Sequence, residues 1–90
     1  MLEIESTSQF KKDLKLAKKR HKNLDCLKKI ITLLLKQEHL EIKLKDHRLT
    51  GEWSHYRELH IEPDWLLIYK LDLKRNTLVL VRTGTHSDLF

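Results

Sequence analysis

The sequence predicts an α+β domain: β-α-α followed by three or four antiparallel strands, with the helical hairpin on one face of a small twisted sheet. Three observations lead there. Apolar residues recur every three or four positions in the first part of the chain, then every second position from Tyr56 onward. The connections between the later apolar runs are short and rich in turn residues, which favours antiparallel neighbours. Ninety residues with 40% hydrophobic content make one domain, 1–90, with a small core.

The elements follow in order. Leu2, Ile4 and Ser6 alternate with Glu3 and Glu5, a short strand pattern. Thr7 or Ser8 caps a helix whose apolar stripe is Phe10, Leu14, Ala17 and His21, with lysines between. A break near Asn23 starts a second helix with a broad face of Leu24, Leu27, Ile31, Leu34 and Leu35, widened by Ile30. Residues 36 to 46 form a polar connection, and a short strand is expected near Arg48-Leu49. From Tyr56, Leu59 and Ile61 share one strand face while Tyr56, Glu58 and His60 share the other. Glu62-Pro63-Asp64 is a turn, because proline removes a donor and favours a bend. Trp65 to Leu71 and Thr77 to Thr83 are the last strands, joined through Lys74-Arg75-Asn76. Leu66-Leu67-Ile68 is apolar on both faces, as a central strand requires. The helices cover one sheet face; the other is expected to be solvated or functional, with His60 on it and apolar area around Leu67 and Tyr69 open to a partner.

Composition excludes several classes. No apolar run approaches a membrane span, and the N-terminal MLEIESTSQF has no basic region leading into an apolar segment. The single cysteine, Cys26, excludes an internal disulfide and a thiolate metal cluster. A cytoplasmic protein without a membrane partner is expected. Charge is uneven: residues 1 to 50 carry 13 basic and 7 acidic side chains, against 5 and 6 in residues 51 to 90. Such a lysine-rich first half attracts phosphates, an acidic protein, or only water.

The second half gathers DHRLTGEW, YRELHIEPDW and RTGTHSDLF, which contain His47, His55, His60 and His86. Histidine both takes and gives a proton near neutral pH. A metal site is disfavoured, since there is no HExxH and no close histidine pair on one element. No nucleophile elbow or phosphate-cradling glycine loop is present, the only glycines being Gly51 and Gly84. Metal-independent RNA cleavage needs only a base for the ribose 2′-hydroxyl, an acid for the departing 5′-oxygen and a cation for the transition state. Histidine and aspartate supply the first two, and Arg82 or a lysine the third. Trp65, Phe90 or Tyr56 offers a ring on which a splayed base stacks. Alternation alone leaves open whether Arg82 shares a face with His60.

Through these three motifs, and over essentially its full length, the chain resembles the YafQ-type branch of the RelE/ParE superfamily, bacterial type II toxins that act as mRNA interferases. The resemblance implies a RelE-like fold and cleavage of translated mRNA in the A site of the 70S ribosome, with no cofactor. It places His47, His60, Asp64, Trp65, Arg82, His86 and Phe90 at the family's motif positions. His86 and Asp64 are the first choice for direct proton transfer; His47 and His60 serve as base, phosphate donor or orienting group. Lys11, Lys15, Lys18 and Lys19 are the expected contacts to ribosomal RNA. A cognate antitoxin is implied as partner: a small dimeric DNA-binding protein with an acidic or amphipathic C-terminal segment. Operator DNA is reached only through that complex. Two alternatives remain on the same scaffold: the gyrase-directed ParE-like branch, and a non-catalytic interaction module or operon co-repressor.

Overall fold

A computed structural model describes residues 1–90. The elements are β1 (Glu3–Ser6), α1 (Ser8–Lys19), α2 (Leu24–Leu35), β2 (His47–Arg48), β3 (Arg57–Glu62), β4 (Trp65–Asp72), β5 (Thr77–Gly84) and α3 (His86–Leu89). The sheet order is β1-β5-β4-β3-β2. β2 through β5 form an antiparallel meander, and β1 returns to pair in parallel with β5, Glu3 opposite Thr77.

Local chemistry sets the helix starts. Thr7 accepts the Phe10 amide at 2.9 Å, and its hydroxyl donates to the Val81 carbonyl at 2.7 Å, so one side chain caps α1 and ties it to β5. Asn23 caps α2 by accepting the Cys26 amide at 3.1 Å. The expected α1 stripe is corrected at its end: the helix stops at Lys19, and His21 stands exposed in the link with φ of 58°. The α2 seam is Leu27, Ile30 and Leu34, with Ile31 and Leu35 only partly buried. The two helices and the first face of the sheet enclose Phe10, Ala17, Leu59, Ile61, Trp65, Leu67, Tyr69, Leu78 and Leu80. Each fully buried leucine there contributes about 1.5–3 kcal/mol of apolar transfer energy.

Two expectations about the sheet are overturned. Leu67 and Tyr69 are not open to a partner; they face the helices and are 0% and 1% exposed. The opposite face is not bare either. Leu66 and Ile68 are fully buried there beneath Leu89 of α3, with Leu49, Trp53, Tyr56 and Val81 packed around them. Pieces with no apolar period of their own, the loop before β3 and the C-terminal turn, supply this cover. No helix is long and apolar enough to cross a membrane.

A candidate active site on the second face of the sheet

Strand register brings the histidines together. His47 of β2 lies opposite Glu58 of β3, which lies opposite Ile68 of β4. His60 lies opposite Leu66, and Leu66 opposite Gly84 at the end of β5. Residues directly opposite in a sheet share a face, so His47, Glu58 and His60 lie on the side away from the hairpin. Immediately past Gly84 the chain turns into α3 and delivers His86. The His60 and His86 rings stand 5.7 Å apart between centroids.

All three imidazoles are held by the same nitrogen. His47 Nδ1 lies 2.6 Å from the Lys45 carbonyl and His60 Nδ1 3.3 Å from the Pro63 carbonyl. A carbonyl only accepts, so these nitrogens carry the proton in the neutral rings. His86 Nδ1 is 2.7 Å from Asp64 Oδ1, which also accepts the His86 backbone amide at 3.0 Å. That amide bond, with the ring beside it, holds the Asp64 carboxyl below the usual carboxylate range, so Asp64 is an acceptor at neutral pH. Each neutral ring thereby keeps Nε2 as its acceptor nitrogen, that of His60 standing beside the Glu58 carboxylate.

The remaining expected residues divide. Phe90 is 62% exposed and meets Trp53 edge-on at 6.1 Å, leaving ring surface for a base. Tyr56 is half-buried, with its ring 5.6 Å from Trp53. Trp65 is a correction: it is 1% exposed and belongs to the hairpin-side core, so its ring gives no stacking surface. Alternation sends Trp65 to the face opposite Leu66, which the sequence placed beside the turn without resolving. Arg82 donates from Nε and Nη2 to Asp13 of α1, both at 3.0 Å, leaving Nη1 as its uncommitted nitrogen. Lys11, Lys15, Lys18 and Lys19 are all exposed on α1, while His39 and His55 are exposed in loops.

Several polar residues of the motifs escaped the sequence reading. Asp46 accepts from the Arg57 fork, Nη2 at 2.9 Å, and from the Tyr69 hydroxyl, which anchors the residue before His47. Burial, followed by the bond to Asp46, pushes the Tyr69 phenol far above its ordinary value, so it is a permanent donor. Glu58 is buried, with His60 Nε2 at 3.7 Å. Ligand atoms of Glu58, His60 and His86 lie within 4.8 Å of one another, the spacing of a metal cage. No two of these histidines share an element, as the sequence shows, but the sheet and α3 bring His60 and His86 together from separate ones.

Residues 2–90 match the family described as a bacterial toxin of type II toxin-antitoxin systems, YafQ. The mRNA interferase toxin YafQ of Escherichia coli K12 is 51% identical over 89 residues, covering 98% of this chain and 95% of that protein. A metal-bound toxin from Helicobacter pylori superposes with a TM-score of 0.95 at 44% identity, covering 100% of both chains. YafQ in the E. coli DinJ-YafQ complex superposes with a TM-score of 0.89 at 48% identity, covering 100% of this chain and 99% of that one. A hairpin on a five-stranded sheet with an imidazole rim is here the toxin component of a type II toxin-antitoxin system. The chain belongs to the YafQ family, whose toxins are ribonucleases acting as mRNA interferases.

Proposed function

We propose that this chain is an endoribonuclease that enters the ribosomal A site and cuts mRNA without a metal ion. The observation that carries the proposal is the common state of His47, His60 and His86: Nδ1 tied, leaving Nε2 as the acceptor nitrogen, on one side of the sheet. His60 takes the ribose 2′-hydroxyl proton as that oxygen bonds to the adjacent phosphorus. His86, protonated with the Asp64 carboxylate as counter-charge, gives its proton to the 5′-oxygen as the phosphorus–oxygen bond breaks. His47 and Arg82 Nη1 face the phosphoryl oxygens as charge builds on them. The products are a 2′,3′-cyclic phosphate and a 5′-hydroxyl. Phe90 stacks a base, and the α1 lysines contact ribosomal RNA.

A cognate antitoxin restrains this activity, a reading supported by the E. coli YafQ relative solved with DinJ. With Leu67 and Tyr69 buried, the antitoxin's acidic segment has the lysine-rich α1 surface as its docking ground. Operator DNA is met through that complex.

The Glu58–His60–His86 trio supports a second reading: a transition-metal ion seats there and stops cleavage by occupying ring nitrogens that proton transfer needs. The metal-bound Helicobacter pylori relative favours it.

The experiment is cleavage by antitoxin-free protein of free RNA in EDTA, and of mRNA on translating ribosomes. A 2′,3′-cyclic phosphate end, or its 3′-phosphate hydrolysis product, is expected. No cleavage of either substrate, together with inhibition of gyrase, would move the chain to the alternative branch.

A further inference from the structure

We propose that Arg20 and Asp88 form a positioning latch, holding the C-terminal turn so that His86 meets its substrate in one orientation. The inference deepens the endoribonuclease reading and rests on it. α3 has only four residues, His86–Leu89, far fewer than a helix needs to persist unaided. Leu89 seats it on Leu66 and Ile68, but one leucine leaves the turn free to rock.

Asp88 removes that freedom. Its backbone amide donates to Thr85 Oγ1 at 3.1 Å, and its Oδ2 accepts the Thr85 amide at 3.0 Å, a reciprocal cap that closes the turn around His86. Arg20, at the end of α1, grips the same carboxylate with Nη1 at 2.6 Å and Nη2 at 3.4 Å. Gly84 makes room for the arrangement: a Cβ there would stand 3.0 Å from both Cβ and Oδ2 of Asp88. Two residues further along the same interhelix link, Lys22 pairs with Glu62 at 3.7 Å, beside the turn that carries Asp64. The corner of the hairpin therefore holds both segments that bring Asp64 and His86 together, while touching neither ring nor carboxylate of that pair.

Charge makes the duty of Asp88 testable. A carboxylate beside a site for a polyanion repels substrate. Neutralising Asp88 tightens RNA binding if electrostatics alone matters, and slows the chemical step if the latch matters. The measurement is steady-state cleavage of a fluorophore–quencher oligoribonucleotide by the full chain and by Asp88→Asn, Arg20→Gln and the double variant. Long-range proton–nitrogen spectra of His86 accompany it.

The latch predicts a kcat lowered about 10- to 100-fold in each single variant. It also predicts KM unchanged or lower for Asp88→Asn, and a double variant no slower than the slower single. His86 changes from one Nδ1–H tautomer to a mixture, and Arg20→Lys restores part of kcat. Arg20 is exposed, so Arg20→Gln keeps the fold even where Asp88→Asn frays α3. Unchanged kcat and an unchanged tautomer in both singles would overturn the proposal. So would a raised KM with intact kcat in Arg20→Gln that adds to the effect of Asp88→Asn, for Arg20 would then be an RNA-binding cation. If the parent cuts no RNA, the tautomer comparison decides the latch alone, and the two readings fail separately.

Discussion

Replacing Asp13 by alanine separates the packing of the hairpin from the chemistry of the site. Asp13 is a buried carboxylate on α1, and its oxygens accept Arg82 Nε and Nη2 at 3.0 Å, the Thr83 amide at 3.2 Å and Gln9 Nε2 at 3.0 Å. Burial opposes its ionisation, but the bonds from Arg82, Gln9 and Thr83 outweigh it and hold the group below the ordinary carboxylate range. Asp13→Ala orphans the Thr83 amide within the protein, costing about 1–3 kcal/mol. It also strips the Arg82 fork of its partner. That side chain is 26% exposed and turns toward water, so its share falls below the roughly 3–5 kcal/mol of a fully buried broken pair. The total is about 3 kcal/mol, a fall in Tm of about 12–24 °C for a domain of this size. Urea unfolding followed by tryptophan fluorescence reads it, since Trp65 is in the core. Asp13→Leu combined with Arg82→Met removes both charges and recovers the share lost through the stripped arginine, while the Thr83 amide stays without its acceptor. A cost below about 1 kcal/mol for Asp13→Ala, or a double variant no more stable than the single, would refute the reasoning. If Arg82 Nη1 serves the reacting phosphate, the recovered double variant still cuts RNA slowly.

Three further outcomes are expected. Asp88, held by Arg20, titrates in the folded protein at about 2 and Asp64 and Asp13 also titrate low. The unfolded chain therefore binds protons first as pH falls, so their stabilisation is whole above about pH 4 and is lost toward about pH 2; a urea midpoint flat across that window would contradict it. Leu67→Ala costs about 2–5 kcal/mol in urea unfolding, while Leu89→Ala lowers cleavage with a smaller stability loss, and equal stability losses would deny that α3 is a separate cover. Copper(II) stops cleavage of free RNA, EDTA restores it, and Glu58→Gln weakens the inhibition; undiminished inhibition of that variant would remove Glu58 from the site.

Much of this structure is legible in local chemistry. Thr7 and Asn23 announce helix starts through capping, and the switch of period at Tyr56 announces the sheet. Leu66-Leu67-Ile68 reads as a central strand because both its faces are apolar. The cover of the second face is not legible, since Leu49, Trp53 and Leu89 are scattered and share no period. Thr85 and Asp88 did carry a signal for α3, a capping-box spacing, but four residues show no stripe to confirm a helix. The site divides the same way. The histidines are recognisable by residue type and motif, whereas Asp13–Arg82 and Arg20–Asp88 join residues 69 and 68 positions apart. Trp65 was misplaced because a tryptophan beside a catalytic turn suits stacking and core equally; strand parity decides.

The parallel pairing of β1 with β5 has a consequence for how the protein is born. Glu3 waits for Thr77, and Thr7 reaches Val81 across a separation of 74 residues, so the first strand and the start of α1 lack their partners until β5 has been made. Contacts this distant in sequence form late. α3, with His86, follows β5 and emerges later still. The nascent chain therefore holds no finished sheet and no assembled imidazole rim until β5 and His86 have been made.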